Sequence, residues 1–306
     1  MSPARTTSEV EIGGRRLSLS NLEKVLYPAT GFTKGEVIDY YARIGPVLVG
    51  HLDGRPTTLK RYPNGVEGQF FFEKNCPGHR PDWVSTAPIW SGHSRRTIDY
   101  CVVDGVATLV WLANLAALEL HPSLSRAADL RRPTMAVFDL DPGPPADIVA
   151  CCEVALHLRH LFDQLGLSAW PKTSGSKGLQ VYVPLNGEVS YEGAGGTKTF
   201  ALAVAQYLER AHPKLVVSSM AKDQRVGRVF IDWSQNDDSK TTVAVYSMRA
   251  RGRPTVSTPV SWDEVERADR AELSYEAPAV LTRVADHGDL FAPVLSVVQQ
   301  LPDFGL

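Results

Sequence analysis

Cysteine is scarce in this 306-residue chain. Its four copies, Cys76, Cys101 and the adjacent Cys151 and Cys152, have neither the spacing of a metal finger nor the density of a secreted disulfide scaffold. Structural thiols in a reducing compartment are the expectation. Long apolar runs are missing too: nothing approaches the roughly 18 residues that a membrane helix needs. The opening MSPARTTSEVEIGG also lacks the apolar stretch of a secretory leader, so a cytoplasmic protein without membrane contact is expected. There is no internal repeat and no low-complexity segment, which excludes solenoid and fibrous designs.

Net charge is nearly absent, at -2, but the sum hides an asymmetry. From Arg210 to Arg253 there are nine Lys or Arg against four Asp, whereas Asp263 to Leu306 holds nine acidic residues against three Arg. A cationic stretch can hold phosphates in a near-neutral molecule because salt screens charges beyond about 10 Å. A solvated surface accounts for the same counts. The hydrophobic share, 43%, is that of an ordinary globular chain with room for one large core or two modest ones.

Residues 1–16 read as a frayed, flexible start, and LSLSNLEKVLYP as a short strand and turn stopped at Pro28. Thr33 and Glu36 form a capping-box pattern, and Val37, Ile38, Tyr41, Ile44, Val47 and Leu48 share one stripe of a helix that Pro46 kinks or shortens. RPTTLKRYPNG and GQFFFEKN read as a strand pair presenting Lys60, Arg61 and an aromatic cluster. Residues 85–101 suggest further strands with a basic loop at Arg95 and Arg96, and Gly105 to Leu120 a buried helix ending at His121 and Pro122. A loop of about twelve residues then leads to TMAVFDLDPG.

Beyond it the pattern predicts a strand, a helix from Asp147 to Leu165, strands SAWPKTSG and LQVYVPL, a helix from Thr197 to Ala211, and strands RVFIDWS and TVAVYSM. The acidic tail after Pro259 reads as short helices wrapping the domain. The fold class is mixed α/β (α+β) with paired strands, not a doubly wound parallel sheet.

In MAVFDLDPG, strand alternation sends Asp139 and Asp141 to one side, where Pro142 and Gly143 end the pairing. Two like charges that close are costly unless a divalent cation sits between them, and oxygen ligands suit Mg²⁺ or Mn²⁺. A bare Asp-x-Asp also fits two side chains capping a turn. A second apolar strand, RVFIDWSQN, ends in Asp232. Three carboxylates at strand ends fit a two-metal site for in-line displacement at phosphorus, which makes phosphoryl or nucleotidyl transfer the leading reaction class. KTSGSKGLQVY sets Ser174, Gly175, Ser176, Lys177 and Gly178 in a tight turn whose amides and lysine can face an anion, although an ordinary hairpin uses the same residues.

The ordered series VLYPATG-x-TK, PNGV, FFEK, LE-x-H, FDLDPG, TSGSKGL, DWSQN-x-x-SKTT and YS-x-R resembles the polymerase domain of bacterial ligase-D proteins, of the archaeo-eukaryotic primase superfamily. The resemblance covers about residues 17–300. It implies a primase-polymerase fold of two packed sheets flanked by helices, as one catalytic domain. A 5′-phosphate and template part would span about 17–125, a metal and nucleotide core about 133–258, and the acidic wrap about 259–306. With nothing matching the ligase and nuclease modules of multidomain relatives, the domain alone is expected.

By resemblance Asp139, Asp141 and Asp232 are the catalytic metal ligands for Mn²⁺ or Mg²⁺. His121, Ser174, Gly175, Lys177, Gln180, Gln235, Lys240 and Arg249 surround the incoming nucleotide. Asn21, Lys24 and Lys34 take a 5′-phosphate across a gap, while Lys60, Phe71, Phe72 and Arg225 meet template DNA. Read alone, Lys24 and Lys34 are equally surface lysines, Phe70 to Phe72 edge-strand aromatics, and His121 a helix cap. Relatives usually carry His where this chain has Gln180, which can donate a hydrogen bond but carries no charge, so triphosphate binding or nucleotide preference is expected to shift.

The function implied is template-dependent nucleotide addition with NTPs preferred, filling short gaps or extending ends in end joining or excision repair. Implied partners are gapped or broken DNA with a 5′-phosphate, NTPs or dNTPs, a separate DNA ligase and other repair proteins. A non-catalytic end-binding module that recruits a ligase and a metal-dependent phosphohydrolase or nuclease are the alternatives.

Overall fold

The computed structural model describes residues 7–92, 94–268 and 273–302. One half is a five-stranded sheet in the order Trp170–Thr173, Leu179–Pro184, Met135–Pro142, Val229–Asp232 and Val216–Val217. All pairings are antiparallel except the last, which is parallel. Alternation along Met135–Pro142 decides what each face meets. Ala136, Phe138 and Leu140 pack with Leu179, Val181, Val229 and Ile231 against helices Ile148–Gln164 and Thr197–Ala211. Met135 and Val137 point the other way, into the second core, and Asp139 and Asp141 continue that face where the core gives out.

The other half is built on the strand Pro56–Arg61, which pairs with Phe71–Glu73, Arg96–Val102 and Ala117–Pro122, with Thr86–Ser91 beyond Arg96–Val102. The helix Lys34–Leu52 packs on this half. Its Thr33/Glu36 capping box forms as the sequence indicates, and it runs through Pro46 to Leu52 without a break. Gly45 lets it approach the helix Val106–Asn114 closely, since a Cβ there would lie 2.9 Å from a Val106 methyl. The acidic tail returns through the helix Ala277–His287, and Asp289 beyond it bonds both His51 (2.8 Å) and the Tyr246 hydroxyl (2.7 Å).

Several expectations are corrected. Residues 7–16 are not a frayed start: Thr7–Ile12 pairs with Arg15–Ser20 in a hairpin, while residues 1–6 lie outside the described residues. The apolar run after Gly105 is two elements, because Leu115 ends the helix and Ala116 turns at φ +57, sending Ala117–Pro122 into the sheet. A run buried on every side carries no period to separate helix from strand. The loop before Met135 contains the strand pair Ser125–Arg126 and Asp129–Pro133. TVAVYSM is irregular rather than a strand, broken by Tyr246 at φ +61 and bonded singly to Pro122, Leu120 and Ser257 carbonyls. Cys76 and Cys101 are not free thiols but a disulfide, which ties the segment after Phe71–Glu73 to the strand Arg96–Val102; Cys151 and Cys152 are free and buried.

Phe138 is fully buried, with ring centroids 5.1 Å from Phe162 and 6.2 Å from Phe200. Phe138→Ala should cost about 3–5 kcal/mol in a urea unfolding curve, because the sheet-helix interface cannot collapse into the space. A cost under about 1 kcal/mol would show that this interface does not hold the strand Met135–Pro142.

Candidate active site

Strand pairing brings the acids together. Asp139 stands directly opposite Gln180 on one side and Asp232 on the other, with Asp141 two residues on, opposite Phe230. Gln180 in turn faces Lys172. Opposed residues of antiparallel strands share a face, so one row across four strands reads Lys172, Gln180, Asp139, Asp232. Burial and then the Asp141 charge push the Asp139 carboxyl well up, with the facing Gln180 amide opposing. Burial and then the Asp232 charge raise Asp141, with Arg225 and Arg249 opposing. The donors are all hard oxygens that repel one another, a set that fits Mg²⁺ or Mn²⁺ in kind.

Asp139 and Asp141 line a cleft of about 410 Å³, but Asp232 does not. Its carboxylate turns back on its own chain, accepting from the Ser234 N–H (3.0 Å), the Ser234 hydroxyl (2.6 Å) and Gln235 Nε2 (3.0 Å). Among the described residues, no group of three His, Cys, Asp or Glu side chains is arranged to hold a metal ion.

Opposite the acids the cleft is cationic. The turn between Trp170–Thr173 and Leu179–Pro184 carries Lys177, which is exposed, into it. Gly175 sits at φ +66 where a Cβ would lie 2.6 Å from the Val256 carbonyl carbon, and a Cβ on Gly178 would lie 2.0 Å from the Leu140 oxygen. The Ser174 hydroxyl accepts from the Ser176 N–H (3.2 Å) and the Gly178 N–H (3.1 Å). Those amides are therefore engaged within the turn, and Lys177 supplies its main attraction for an anion. Arg249 bonds the Ser174 carbonyl, and Arg251 the Ser176 hydroxyl. Arg225 lies 3.7 Å over the Phe230 ring, beside the same cleft. Gln235 lines the cleft, whereas Lys240 lines a separate cavity of about 380 Å³ next to it.

His121 is on a sheet strand, not at a helix end, and leads to Glu119, a residue for which the sequence suggested no role. Glu119 is buried and accepts from His121 Nε2 (2.9 Å) and the Ala250 N–H (3.1 Å), with Arg249 Nε (3.4 Å) and Lys60 Nζ (3.7 Å) at ion-pair distance. Burial pushes its carboxyl up, but the His121 hydrogen bond and the Arg249 and Lys60 charges outweigh that and hold it at about 2. Burial lowers His121 in spite of Glu119. Gln180 is 2% exposed, reaches the cleft lining, and its Oε1 accepts from Lys172 Nζ at 2.5 Å.

Lys60 lies 4.3 Å over the Phe70 ring and 5.5 Å over Phe72, and both rings are exposed. Phe72 also meets His121 edge-on at 6.3 Å. Phe71 is not part of this platform, because alternation turns it to the other face, beside Arg61 (5.1 Å). Asn21, Lys24 and Lys34 line a third cavity, of about 600 Å³, with Arg16, Arg61 and His79. Lys24 Nζ bonds the Pro63 carbonyl (2.5 Å) and Asn64 (3.1 Å), and Lys34 Nζ the Ser20 carbonyl (2.5 Å).

Glu119 supplies a test. A carboxyl held at about 2 instead of its usual 4.5 stabilises the fold fully above pH 4.5 and loses that contribution as pH falls toward 2, by about 3 kcal/mol in all. Glu119→Gln should therefore unfold earlier in urea than wild type at pH 7, with the gap narrowing below pH 4.5. A gap independent of pH would rule out the charge as its cause.

Comparison with known proteins gives one answer throughout. The family described as LigD, primase-polymerase domain, matches residues 33–291. The chain is 46% identical over 284 residues to the multifunctional non-homologous end joining DNA repair protein LigD of Mycobacterium tuberculosis (strain ATCC 25618 / H37Rv), covering 90% of this chain and 36% of that one. It is 31% identical over 274 residues to the bifunctional LigD of Bacillus subtilis (strain 168), covering 89% and 43%. It thus spans less than half the length of these relatives. Among solved structures, the polymerase domain from Mycobacterium tuberculosis ligase D in complex with DNA matches at a TM-score of 0.86 and 44% identity, over 93% of this chain and 99% of that one. With the family model spanning residues 33–291, which include the acid row and the cationic side chains facing it, the chain belongs to the LigD primase-polymerase domain family, nucleotidyltransferases of the archaeo-eukaryotic primase superfamily.

Proposed function

We propose that this cleft extends a DNA 3′-end by templated nucleotide addition at short gaps or broken ends, in non-homologous end joining, with NTPs preferred over dNTPs. The observation that carries the reading is the cross-strand row with Asp139 between Gln180 and Asp232 and Asp141 beside them, facing Lys177, Arg249 and Arg225. Asp139, Asp141 and Asp232 would hold Mn²⁺ or Mg²⁺; bound there, the ions offset charge on the attacking and departing oxygens. Asp232 takes part by exchanging its contacts with Ser234 and Gln235 for that role.

The remaining groups bind and orient. Lys177 and Arg249 attract the triphosphate, Arg249 being anchored by its bond to the Ser174 carbonyl. His121 is neutral near pH 7 because burial lowers it. Its Nε2–H donates to Glu119 (2.9 Å), which leaves Nδ1 as an acceptor suited to a sugar hydroxyl and favours a ribonucleotide. Phe72 and Phe70, with Lys60 over them, offer a stacking surface next to His121 for a template base. The cavity with Lys24 and Lys34 suits the 5′-phosphate on the far side of the gap. A DNA ligase, in a neighbouring module or a separate chain, would seal the nick that remains. Excision repair offers the same gapped substrate.

Primer extension on gapped duplexes, with and without the 5′-phosphate, in Mg²⁺ or Mn²⁺ and with either nucleotide type, tests this. Extension should need the metal, stop with EDTA and favour NTPs. Asp139→Ala should lower it more than about 100-fold, beyond what loss of an outer-shell partner causes, with gap binding retained. Lys24→Ala should weaken the preference for a 5′-phosphate. Shortened strands without elongation would instead indicate a nuclease, and binding without extension by the wild type an end-recognition module.

A further inference from the structure

Lys172 is fully buried, on the strand Trp170–Thr173, and lines none of the cavities described above. Its Nζ has three partners: Gln180 Oε1 at 2.5 Å, Ser257 Oγ at 2.6 Å and the Val243 carbonyl at 3.2 Å. A carbonyl can only accept. The Ser257 hydroxyl spends its proton on the Thr173 carbonyl (2.8 Å), so it too must accept from the lysine. With Gln180 Oε1 as the third acceptor, the three contacts favour the ammonium form, against burial, which lowers the Lys172 pKa to about 7. This places a cation beneath the acid row with no carboxylate bonded to it.

The ammonium also fixes its neighbour. An amide side chain is nearly symmetrical in shape and can present either end. Lys172, having only donors, captures the oxygen of Gln180, and the Tyr182 hydroxyl donates to the same oxygen (3.3 Å). The Gln180 NH₂ group is thereby turned outward, where it donates to Thr242 Oγ1 (3.0 Å) on the face that Gln180 shares with Asp139, its directly opposed cross-strand neighbour. We infer that Lys172 is a positioning residue for the acid cluster: by holding the Gln180 amide in one orientation it sets the Asp139 carboxylate for metal binding. A lysine acting only through its charge predicts the opposite result on removal, because losing a nearby cation would tighten metal binding.

This rests on the proposed metal site, so the test reads metal binding apart from catalysis. Wild type, Lys172→Met, Gln180→Met and the double variant, with Asp139→Asn as control, are titrated with MnCl₂ without DNA, following free Mn²⁺ by electron paramagnetic resonance. Primer extension is measured alongside. The expected result is Mn²⁺ binding several-fold weaker in Lys172→Met and in Gln180→Met, with kcat reduced and KM for NTP within twofold. The double variant should be no worse than the poorer single one, because both act through one amide. Wild-type Mn²⁺ binding in Lys172→Met, tighter binding, or additive losses in the double variant would overturn the inference. Should Lys172→Met fail to fold, unchanged Mn²⁺ binding in Gln180→Met would overturn it by itself. If Asp139→Asn leaves Mn²⁺ binding unchanged, the metal-site reading falls, and this inference with it.

Discussion

Antiparallel register is the constraint on which the site depends. With Asp139 fixed opposite both Gln180 and Asp232, four neighbouring strands deliver four polar side chains to one face. A slip of one residue in either pairing would turn a member of the row into the helix-packed core. The opposite face enforces the register: Phe138 and Leu140, on either side of Asp139, are sealed against the helices with Leu179, Val181 and Ile231. Hydrophobic burial on one face thus holds like charges together on the other, where their own repulsion would separate them.

The electrostatics form two shells of opposite sign. Asp139 and Asp141 are raised by burial and mutual repulsion, while Glu119, also buried, is held down at about 2 by His121, Arg249 and Lys60. One set of carboxylates lacks sufficient positive charge and the other is surrounded by it. Arg249 links them, 3.4 Å from Glu119 and bonded to the turn that carries Lys177. A carboxylate that organises cations keeps the rim in place, so long side chains are pre-set to meet an anion instead of being ordered by it. The net charge of -2 conceals this arrangement.

What the sequence revealed and what it hid divide along a physical line. Asp139 and Asp141 were legible because alternation within one strand needs no partner, and Thr33 with Glu36 because a capping box is local. The glycine turn from Ser174 to Gly178 was legible because few residues close so tight a connection. Glu119 and Lys172 were not. Each gains its meaning from groups across the sheet or from loops far along the chain, such as Arg249 and Ser257. The strand Ala117–Pro122 and the Cys76–Cys101 disulfide were missed for the same reason, since neither an apolar run nor a cysteine names its partner. The resemblance assigned Phe71 and Phe72 to one template surface, but neighbours in a strand face opposite ways, and Phe71 lies beside Arg61.

That last point explains how three surfaces stay in step. Lys60 and Arg61 are neighbours on one strand and face opposite ways, Lys60 to Phe70, Phe72 and Glu119, and Arg61 to Phe71, Glu73 and the cavity of Lys24 and Lys34. Thr58, two residues before Lys60, pairs with His121 at the edge of the cleft. One strand therefore touches the proposed phosphate pocket, the stacking platform and the nucleotide side of the cleft. A paired strand in a buried sheet is among the stiffest elements a domain offers, so the spacing between these surfaces is set by the fold and not by a hinge. Under the proposed function, a short gap spanned from a 5′-phosphate to a 3′-end would need a fixed distance between the two, and this strand would provide it.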